Sequence, residues 1–250
     1  MNINAKTIVK ILKAGIAAAT VTAAVVAQAK SSDSSEHGVW LGVSAKANID
    51  TNGLFNVTLS EDNRFGEKHL DEVHAAIAVG YKPFDWLTIA PRYHQVYSRK
   101  NKTGASKPGG GYVDHRWERE DRVGFDVTPS WTLGGWKFSD RNRIVWRDFE
   151  DDRGFWRYRN RIQVAAPWKW TEYKINPYAS FELFLDDGKP SKNVRKNDKF
   201  DQWRFIVGTT AKLSKNATLH TYYLLQEQKD TGDHDWRPNH VIGVNLGFSF

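Results

Sequence analysis

The end of the chain alternates between apolar and small or polar side chains, and it stops on Phe250. The apolar positions are Ile242, Val244, Leu246, Phe248 and Phe250, and the residues between them are Gly243, Asn245, Gly247 and Ser249. A period of two fits a β-strand whose faces meet different surroundings, whereas a helical face would repeat every ~3.6 residues. The segment therefore predicts a strand with one apolar face and one small or polar face.

The first 29 residues have the features of a secretory signal peptide. Three lysines, Lys6, Lys10 and Lys13, give a positive start, and an alanine-rich apolar run covers residues 11–27. Ala27-Gln28-Ala29 then places small residues where a signal peptidase reads them. A membrane anchor helix is the weaker alternative, because the apolar run is short and a polar stretch follows it. We expect residues 1–29 to be the signal, 30–38 a polar segment and 39–250 a single β-barrel domain.

Composition narrows the class of protein further. Removing the signal takes away three lysines and no acids, so the net charge falls from +7 to +4 (+7 − 3). Because cysteine is absent, disulfides cannot hold the exported chain together. Mean hydropathy is −0.60, and no stretch after the signal approaches the ~20 apolar residues of a membrane helix. A membrane barrel is still permitted, because its strands show only every second side chain to the bilayer.

The same alternation recurs through the rest of the chain and yields about eleven segments. Most have about 10–13 residues, and a tilted strand needs about 9–11 to cross an outer membrane. Clear examples are residues 73–81, 156–166, 177–185, 203–213 and 219–225. Counting back from Phe250 gives ten strands, and residues 39–47 would be an eleventh. Since bacterial single-chain barrels normally have even numbers, that segment could be a lumenal or rim element, or two strands could have been merged. We expect an all-β, antiparallel, up-and-down transmembrane barrel of 10–12 strands.

The connections between these segments alternate between short and long. Short ones are predicted at residues 82–85, 134–135, 167–171 and 214–216, and longer polar ones at 99–115, 186–199 and 229–239, with a brief acidic one at 150–152. Short turns at one rim and long loops at the other are typical of outer-membrane barrels, with the short rim in the periplasm.

Eleven tryptophans are present, and many fall near the predicted strand ends. Trp86, Trp131, Trp136, Trp168 and Trp170 lie beside short turns, while Trp146, Trp156 and Trp203 lie toward the opposite ends of their strands. Aromatic belts at the two membrane interfaces explain this placement. The alternative, a set of core tryptophans, gives no reason for clustering at strand ends.

Arginines recur with period two on two neighbouring predicted strands. Lys137, Ser139, Arg141, Arg143 and Arg147 share one face of residues 136–149, and Arg157, Arg159, Arg161 and Gln163 share one face of residues 155–166. An arginine that faces lipid at mid-bilayer costs about 2–4 kcal/mol, so both columns should face the lumen. Arg204, on a later strand, is predicted to face the same way.

The arginine columns allow two interpretations. They could line a narrow aqueous path that favours anions such as carboxylates, sulfates or acidic sugars. They could instead pair with lumenal acids as internal struts, since Glu118 and Glu120 precede the columns and Glu182 follows them. A lumen of ten to twelve strands is narrow enough for side chains to fill most of it.

An enzyme at one rim is the third possibility. His94, His115, His220 and His240 are candidate bases, with Ser98 and Asp114 near two of them in sequence. No Gly-x-Ser-x-Gly element and no histidine pair with metal-ligand spacing occurs. We therefore expect no catalytic residues, no metal and no cofactor.

Three sequence elements resemble the DUF2490 family of predicted outer-membrane barrel proteins. They are Arg-Asn-Arg at 141–143 followed by Arg147, Trp-Arg-Tyr-Arg-Asn-Arg at 156–161, and Asn-Pro-Tyr-Ala-Ser-Phe-Glu-Leu-Phe at 176–184. The resemblance implies a barrel in the outer membrane of a Gram-negative bacterium and no particular activity. A weaker likeness is to oligogalacturonate-specific porins, which serve only as an analogy for what an arginine column can do.

Together these features predict an outer-membrane barrel that is a small channel for anionic solutes, with a closed structural or interaction barrel as the alternative. The expected partners are outer-membrane lipid, small anions and, through the strand that ends at Phe250, the barrel-assembly machinery. No nucleic-acid partner is expected.

Overall fold

A computed structural model describes residues 36–66, 69–102, 114–150, 152–187, 200–229 and 236–250. These residues form eleven strands: β1 (Glu36–Asn48), β2 (Phe55–Phe65), β3 (Leu70–Phe84), β4 (Leu87–Lys102), β5 (Asp114–Leu133), β6 (Trp136–Phe149), β7 (Asp152–Ala165), β8 (Asn176–Asp186), β9 (Phe200–Lys212), β10 (Ala217–Lys229) and β11 (Trp236–Ser249). The predicted signal peptide lies outside the described residues. The barrel domain was predicted to start at residue 39, and strand β1 begins slightly earlier, at Glu36.

The strands form one closed barrel in which each strand pairs with its sequence neighbours. All these pairs are antiparallel except the closing pair, β1 with β11, which is parallel from Glu36↔Asn239 to Lys46↔Ser249. An odd number of alternating strands makes this unavoidable, because the first and last strands then run in the same direction. The prediction of an antiparallel barrel of 10–12 strands is confirmed, and the seam between β1 and β11 is the one parallel pair among the described strands. Residues 39–47 are neither a lumenal nor a rim element, because they belong to a wall strand.

Polarity across the wall is inverted relative to a water-soluble domain. Large apolar side chains face outward and are exposed, as at Val123, Ile162 and Ile242 (53–63% exposed). Charged side chains are buried in the interior, as at Glu120 and Glu182 (4% and 2% exposed). An apolar exterior around a polar lumen is the arrangement of a membrane-spanning barrel. No helix in the described part of the chain is long and apolar enough to cross a bilayer.

The connections between strands define the two rims of the barrel, and each rim is named here after the length of its connections. At the short-turn rim, successive strands are joined by residues 49–54, 85–86, 134–135, 166–175 and 213–216. At the opposite rim, the loop rim, the ends of successive strands are separated in sequence by residues 66–69, 103–113, 150–151, 187–199 and 230–235. The two longest connections therefore share the loop rim, as the sequence predicted. The turn expected at 167–171 extends instead to Ile175, because Trp170 and Ile175 form an additional bridge around it.

Aromatic side chains mark both rims on the outer wall. Trp86, Trp131 and Trp168 are exposed near the short-turn rim, where Trp131 stacks on Phe138 and Trp168 meets Trp136. Near the loop rim Trp146 packs edge-on against Trp156, with ring centroids 5.3 Å apart. The predicted belts thus correspond to clusters that flank an apolar band.

An apolar cluster fills one side of the lumen where the barrel closes. Trp40 of β1, Ile206 of β9, Leu224 of β10 and Val241 of β11 are buried together, and Tyr178 and Tyr222 pack against them. Glycines make room for the tyrosines. A Cβ on Gly208 would lie 2.5 Å from the carbonyl oxygen of Thr221 and 2.9 Å from the Tyr178 ring.

We predict that Gly208→Ala destabilises the barrel, because its methyl group would collide with backbone as well as with the tyrosine. Overpacking of this kind costs about 1–3 kcal/mol. Gly247→Ala is the matched control, because a Cβ on Gly247 meets its nearest atom, Ser44 Oγ, at an ordinary 3.5 Å. Urea unfolding in lipid vesicles, followed by tryptophan fluorescence, measures both. Equal midpoints for the two variants would contradict the packing argument.

Candidate functional site

Strands β6 and β7 carry the predicted arginine columns on their interior face. Their register pairs Arg141 with Arg161 and Arg143 with Arg159, so guanidinium groups sit side by side across the two strands. Such columns would repel each other strongly unless carboxylates lay among them. Three buried acids, Glu182, Asp126 and Glu120, supply that charge, each within reach of at least two arginines.

Glu182 of β8 is the most enclosed of these acids. Arg141 Nη2 donates to its Oε1 at 2.5 Å, and Arg159 donates to the same oxygen from Nε and Nη2 at 3.1 and 2.9 Å. Arg204 Nη1 lies 4.0 Å from the other oxygen. One carboxylate thus holds arginines from three different strands.

Asp126 of β5 forms an ion pair with Arg143 of the neighbouring strand β6. Arg143 donates to both of its oxygens, from Nε and Nη2, at 2.6 Å each, and Arg92 Nη1 lies 3.6 Å away. Two parallel bonds from one guanidinium fix its plane as well as its position. Arg143 is therefore held rigidly against the lumen wall.

Glu120 of β5 forms the third cluster, closer to the loop rim. Arg122 donates to its two oxygens at 2.6 and 2.7 Å, and Arg147 donates to both from the opposite side. Nearby, Arg157 donates to both oxygens of Asp186 at 2.5 and 2.7 Å. We call the three acids Glu120, Asp126 and Glu182, with the arginines that contact them, the arginine girdle.

Aromatic faces cover several of the same guanidinium groups. Arg159 and Arg204 lie 4.6 and 4.7 Å from the ring centre of Phe184, and Arg64 lies 4.0 Å from that of Trp40. Phe184 is almost fully buried, and its ring face attracts both guanidinium groups. Each such contact contributes roughly 0.5–2 kcal/mol.

Some donors in this region have no partner. The Nε atoms of Arg92 and Arg141 are buried without a hydrogen bond among the described residues. Arg161 faces the lumen beside Glu182 in the register, but within the described part of the chain no ion pair of 4.0 Å or less includes it. Hydrogen-bond donors without a partner among the described residues therefore remain within the girdle, at Arg92 and Arg141.

A chamber of about 500 Å³ lies at the loop-rim end of the lumen. Arginines outnumber acids in its lining, with Arg64, Arg99, Arg119, Arg122, Arg147, Arg157, Arg159 and Arg204 against Asp71, Glu72, Glu118 and Glu120. Deeper in, between Arg143 and Arg159, a cavity of only about 20 Å³ remains. The arginine-rich chamber thus lies next to a much smaller cavity among the girdle arginines.

Histidines of the interior form a short hydrogen-bonded chain at the edge of the chamber. His74 Nδ1 lies 3.0 Å from His94 Nε2, and His74 Nε2 lies 2.8 Å from Glu72 Oε2. Ser98, a candidate from the sequence, lines the same chamber. His240, another candidate, lies on the outer wall, where its ring is hydrogen-bonded to the Tyr223 hydroxyl. The side chains of the other candidate pair, His115 and Asp114, lie outside what the structure describes.

Every arginine named from the sequence, from Arg141 to Arg204, lies on the interior face. Of the acids, Glu120 and Glu182 join the girdle, while Glu118 lines the chamber above it. Sequence reasoning missed Asp126, Asp186, Arg92 and Arg122. Period two could have found Asp126 and Arg122, since they share a face of β5 with Glu118 and Glu120. Arg92 shares a face of β4 with His94 and Ser98, so period two could have found it as well. Asp186 fell within the loop predicted at 186–199, whereas the structure places it at the end of β8.

Comparison with known families identifies one match. The sequence profile described as "Protein of unknown function (DUF2490)" matches residues 37–237. No curated protein matches the chain. Within the described residues, no group of three or more His, Cys, Asp or Glu could hold a metal ion.

Among solved structures, similarity is to outer-membrane proteins named OmpT of Vibrio cholerae. The in-vitro folded form is 13% identical with a TM-score of 0.39, and the match covers 74% of this chain and 55% of that one. The loop L8 deletion mutant is 18% identical with a TM-score of 0.38, covering 69% and 53%. The chain therefore spans little more than half the length of these structures.

We predict that Glu182→Gln strongly destabilises the barrel, because it leaves three buried guanidinium groups around a neutral amide. Breaking a buried ion pair by removing one partner costs about 3–5 kcal/mol. Asp148→Asn on the exposed side of β6 is the control and should change stability by less than about 0.5 kcal/mol. The free energies of unfolding in vesicles give the comparison. A Glu182→Gln variant as stable as Asp148→Asn would show that the girdle does not support the fold.

Proposed function

The chain belongs to the DUF2490 family, and from this premise we propose that it is a low-conductance outer-membrane channel that favours small anions. The observation that carries the proposal is the excess of arginine over acid in the loop-rim chamber. A cleft lined by one sign of charge with low-dielectric walls concentrates ions of the opposite sign. Carboxylates, sulfates and acidic sugars are the solutes that guanidinium groups bind best.

The girdle accounts for the expected low conductance. An anion that leaves the chamber meets the region where the free cavity is about 20 Å³, so it can pass only by replacing carboxylate contacts one at a time. The unpartnered Nε atoms of Arg92 and Arg141 offer intermediate binding positions. Conduction requires such sites to be strong enough to admit an ion and weak enough to release it.

A closed structural or interaction barrel is the second candidate, and the packing of the girdle favours it. Glu182 and Asp126 already satisfy most of the nearby guanidinium groups, and side chains of a narrow lumen can fill it completely. In that case the loop rim, rather than the lumen, would carry the function. We propose no catalytic activity, metal or cofactor, and the rim-located hydrolase remains the least supported alternative.

The proposed location is the outer membrane, after export by a cleaved signal. The apolar exterior suits outer-membrane lipid, and short turns suit the periplasmic rim. On this orientation the chamber opens toward the cell exterior. The barrel-assembly machinery would then meet the strand that ends at Phe250 from the periplasm.

We predict anion-selective single channels of low conductance when the purified protein is placed in a planar bilayer under a KCl gradient. Arg147→Gln and Arg159→Gln should each lower that selectivity, while Glu120 keeps Arg122 and Glu182 keeps Arg141 as partners. One charge at about 4 Å contributes roughly 1 kcal/mol in water, so each substitution should reduce the anion preference about fivefold. The reversal potential measures the change.

Lys215→Gln, which removes a charge of the same sign from an exposed short turn, is the control and should leave the reversal potential unchanged. Absence of conductance in wild-type protein that is shown to be folded would favour the closed barrel. Cation selectivity, or anion selectivity unaltered by both arginine substitutions, would overturn the proposed path.

A further inference from the structure

The lumen has a second mouth at the short-turn rim, and four lysines lie at the strand ends that surround it. Lys46 is two residues from the end of β1 (48 − 46), and Lys82 is two residues from the end of β3 (84 − 82). Lys137 is the second residue of β6, and Lys212 is the last residue of β9. In the eleven described strands, no other charged residue lies within two residues of a short-turn end. We call these four residues the lysine ring.

All four lysines belong to the interior face of the wall. On β1, β6 and β9 they keep the alternation of the buried interior residues Trp40, Arg143 and Arg204. Lys82 keeps the alternation of the interior face of β3, and its charge interacts with that of Lys46. Two lysines on strands that are not neighbours can interact in this way because both side chains point into one lumen.

The lysines are spread almost evenly around the mouth. In the strand order of the closed barrel, β1, β3, β6 and β9 are separated by two, three, three and three strands. The ammonium group of a lysine sits on a flexible four-carbon stem and donates in any of three directions. Side chains that approach the barrel axis from four sides can therefore contact one central anion together.

No carboxylate of the described strands neutralises the lysine ring. Within the described part of the chain, none of its four members forms an ion pair of 4.0 Å or less. The turns of this rim carry equal numbers of acids and lysines (3 − 3), namely Asp50, Asp85 and Glu172 with Lys169, Lys174 and Lys215. The excess of positive charge at the short-turn rim therefore comes from the ring.

This arrangement differs from that of the arginine girdle. Each girdle cluster is built around a buried carboxylate, whereas three members of the ring, Lys82, Lys137 and Lys212, are exposed to solvent. Charges that are exposed and lack a carboxylate between them are available to an anion from solution. Rings of lysine or arginine are the means by which pores select anions and phosphates.

We propose that the lysine ring binds small anions that carry several negative charges, of the phosphate and polyphosphate type. Lysine binds phosphate as a point charge and needs no fixed plane, and four such charges around a mouth match an anion whose charges are spread over several groups. The site lies at the opposite end of the lumen from the chamber, and it does not require the barrel to conduct. On the proposed orientation this mouth opens into the periplasm.

Isothermal titration calorimetry with inorganic tripolyphosphate tests the proposal on the purified, folded protein in an uncharged detergent, which leaves both mouths open to solution. Tripolyphosphate should bind more tightly than phosphate, and acetate should give no measurable heat of binding. The affinity should fall as salt is added, because the ring is exposed to water and its charges are screened.

The double variant Lys137→Gln, Lys212→Gln should weaken the binding of tripolyphosphate about tenfold, because it removes two of the four ring charges. The matched control, Lys169→Gln, Lys215→Gln, removes the same number of charges from exposed positions in the turns of the same rim. It should change the affinity by less than about twofold. Arg147→Gln, in the chamber at the other end, should also leave the affinity for tripolyphosphate unchanged.

Tripolyphosphate binding that is as tight in the ring variant as in wild type overturns the proposal. Equal weakening in both double variants would indicate diffuse attraction to the rim and would also overturn it. Because binding is measured without current, binding in a barrel that does not conduct would contradict the proposed channel and keep the ring, whereas an anion-selective barrel without binding would do the reverse. Heat-modifiable mobility on a denaturing gel verifies that every variant is folded.

Discussion

Every backbone amide in the hydrocarbon band needs a hydrogen-bond partner within the sheet, and this requirement governs the whole molecule. A sheet meets it only by closing on itself, which leaves no edge strand. With eleven strands, closure forces β1 to run beside β11 in the same direction. The parallel seam is thus a consequence of an odd count, and it places Trp40 in the lumen against Ile206 and Val241.

Closure also creates an enclosed lumen that side chains or water must fill. In this barrel, charged side chains fill much of it. Arginines on β6 and β7 avoid lipid by facing inward, but their mutual repulsion then requires carboxylates from other strands. Glu182 meets this need for three strands at once. The desolvation of such a cluster is costly and is only partly offset by its ion pairs. The presence of the girdle is therefore not by itself a sign of high stability.

Period-two alternation was sufficient to predict the strands, the inward arginines and the rim that holds the longest loops, because each depends on one strand at a time. The partners of those arginines depend on register between strands. Asp126 meets Arg143 only because β5 and β6 pair at those positions, and alternation within β5 does not specify this offset. The role of residues 39–47 was left open for a related reason, because their pairing with β11 is set by closure of the barrel and not by alternation within the strand.

The alternation between apolar and polar side chains breaks down within the two arginine strands, β6 and β7. In β6 the sequence Arg-Asn-Arg at 141–143 places polar side chains on both faces of one strand, and Arg-Asn-Arg at 159–161 repeats this on β7. The arginines face the lumen, whereas the asparagines between them face the outer wall, where Asn160 donates a hydrogen bond to Asn142. Asn160 donates to Asp140 and to Asn142, and the Tyr158 hydroxyl donates to Asn142, so these outward polar side chains satisfy one another in part. The segment on which the family resemblance rests is thus also a segment in which the alternation of polarity breaks down.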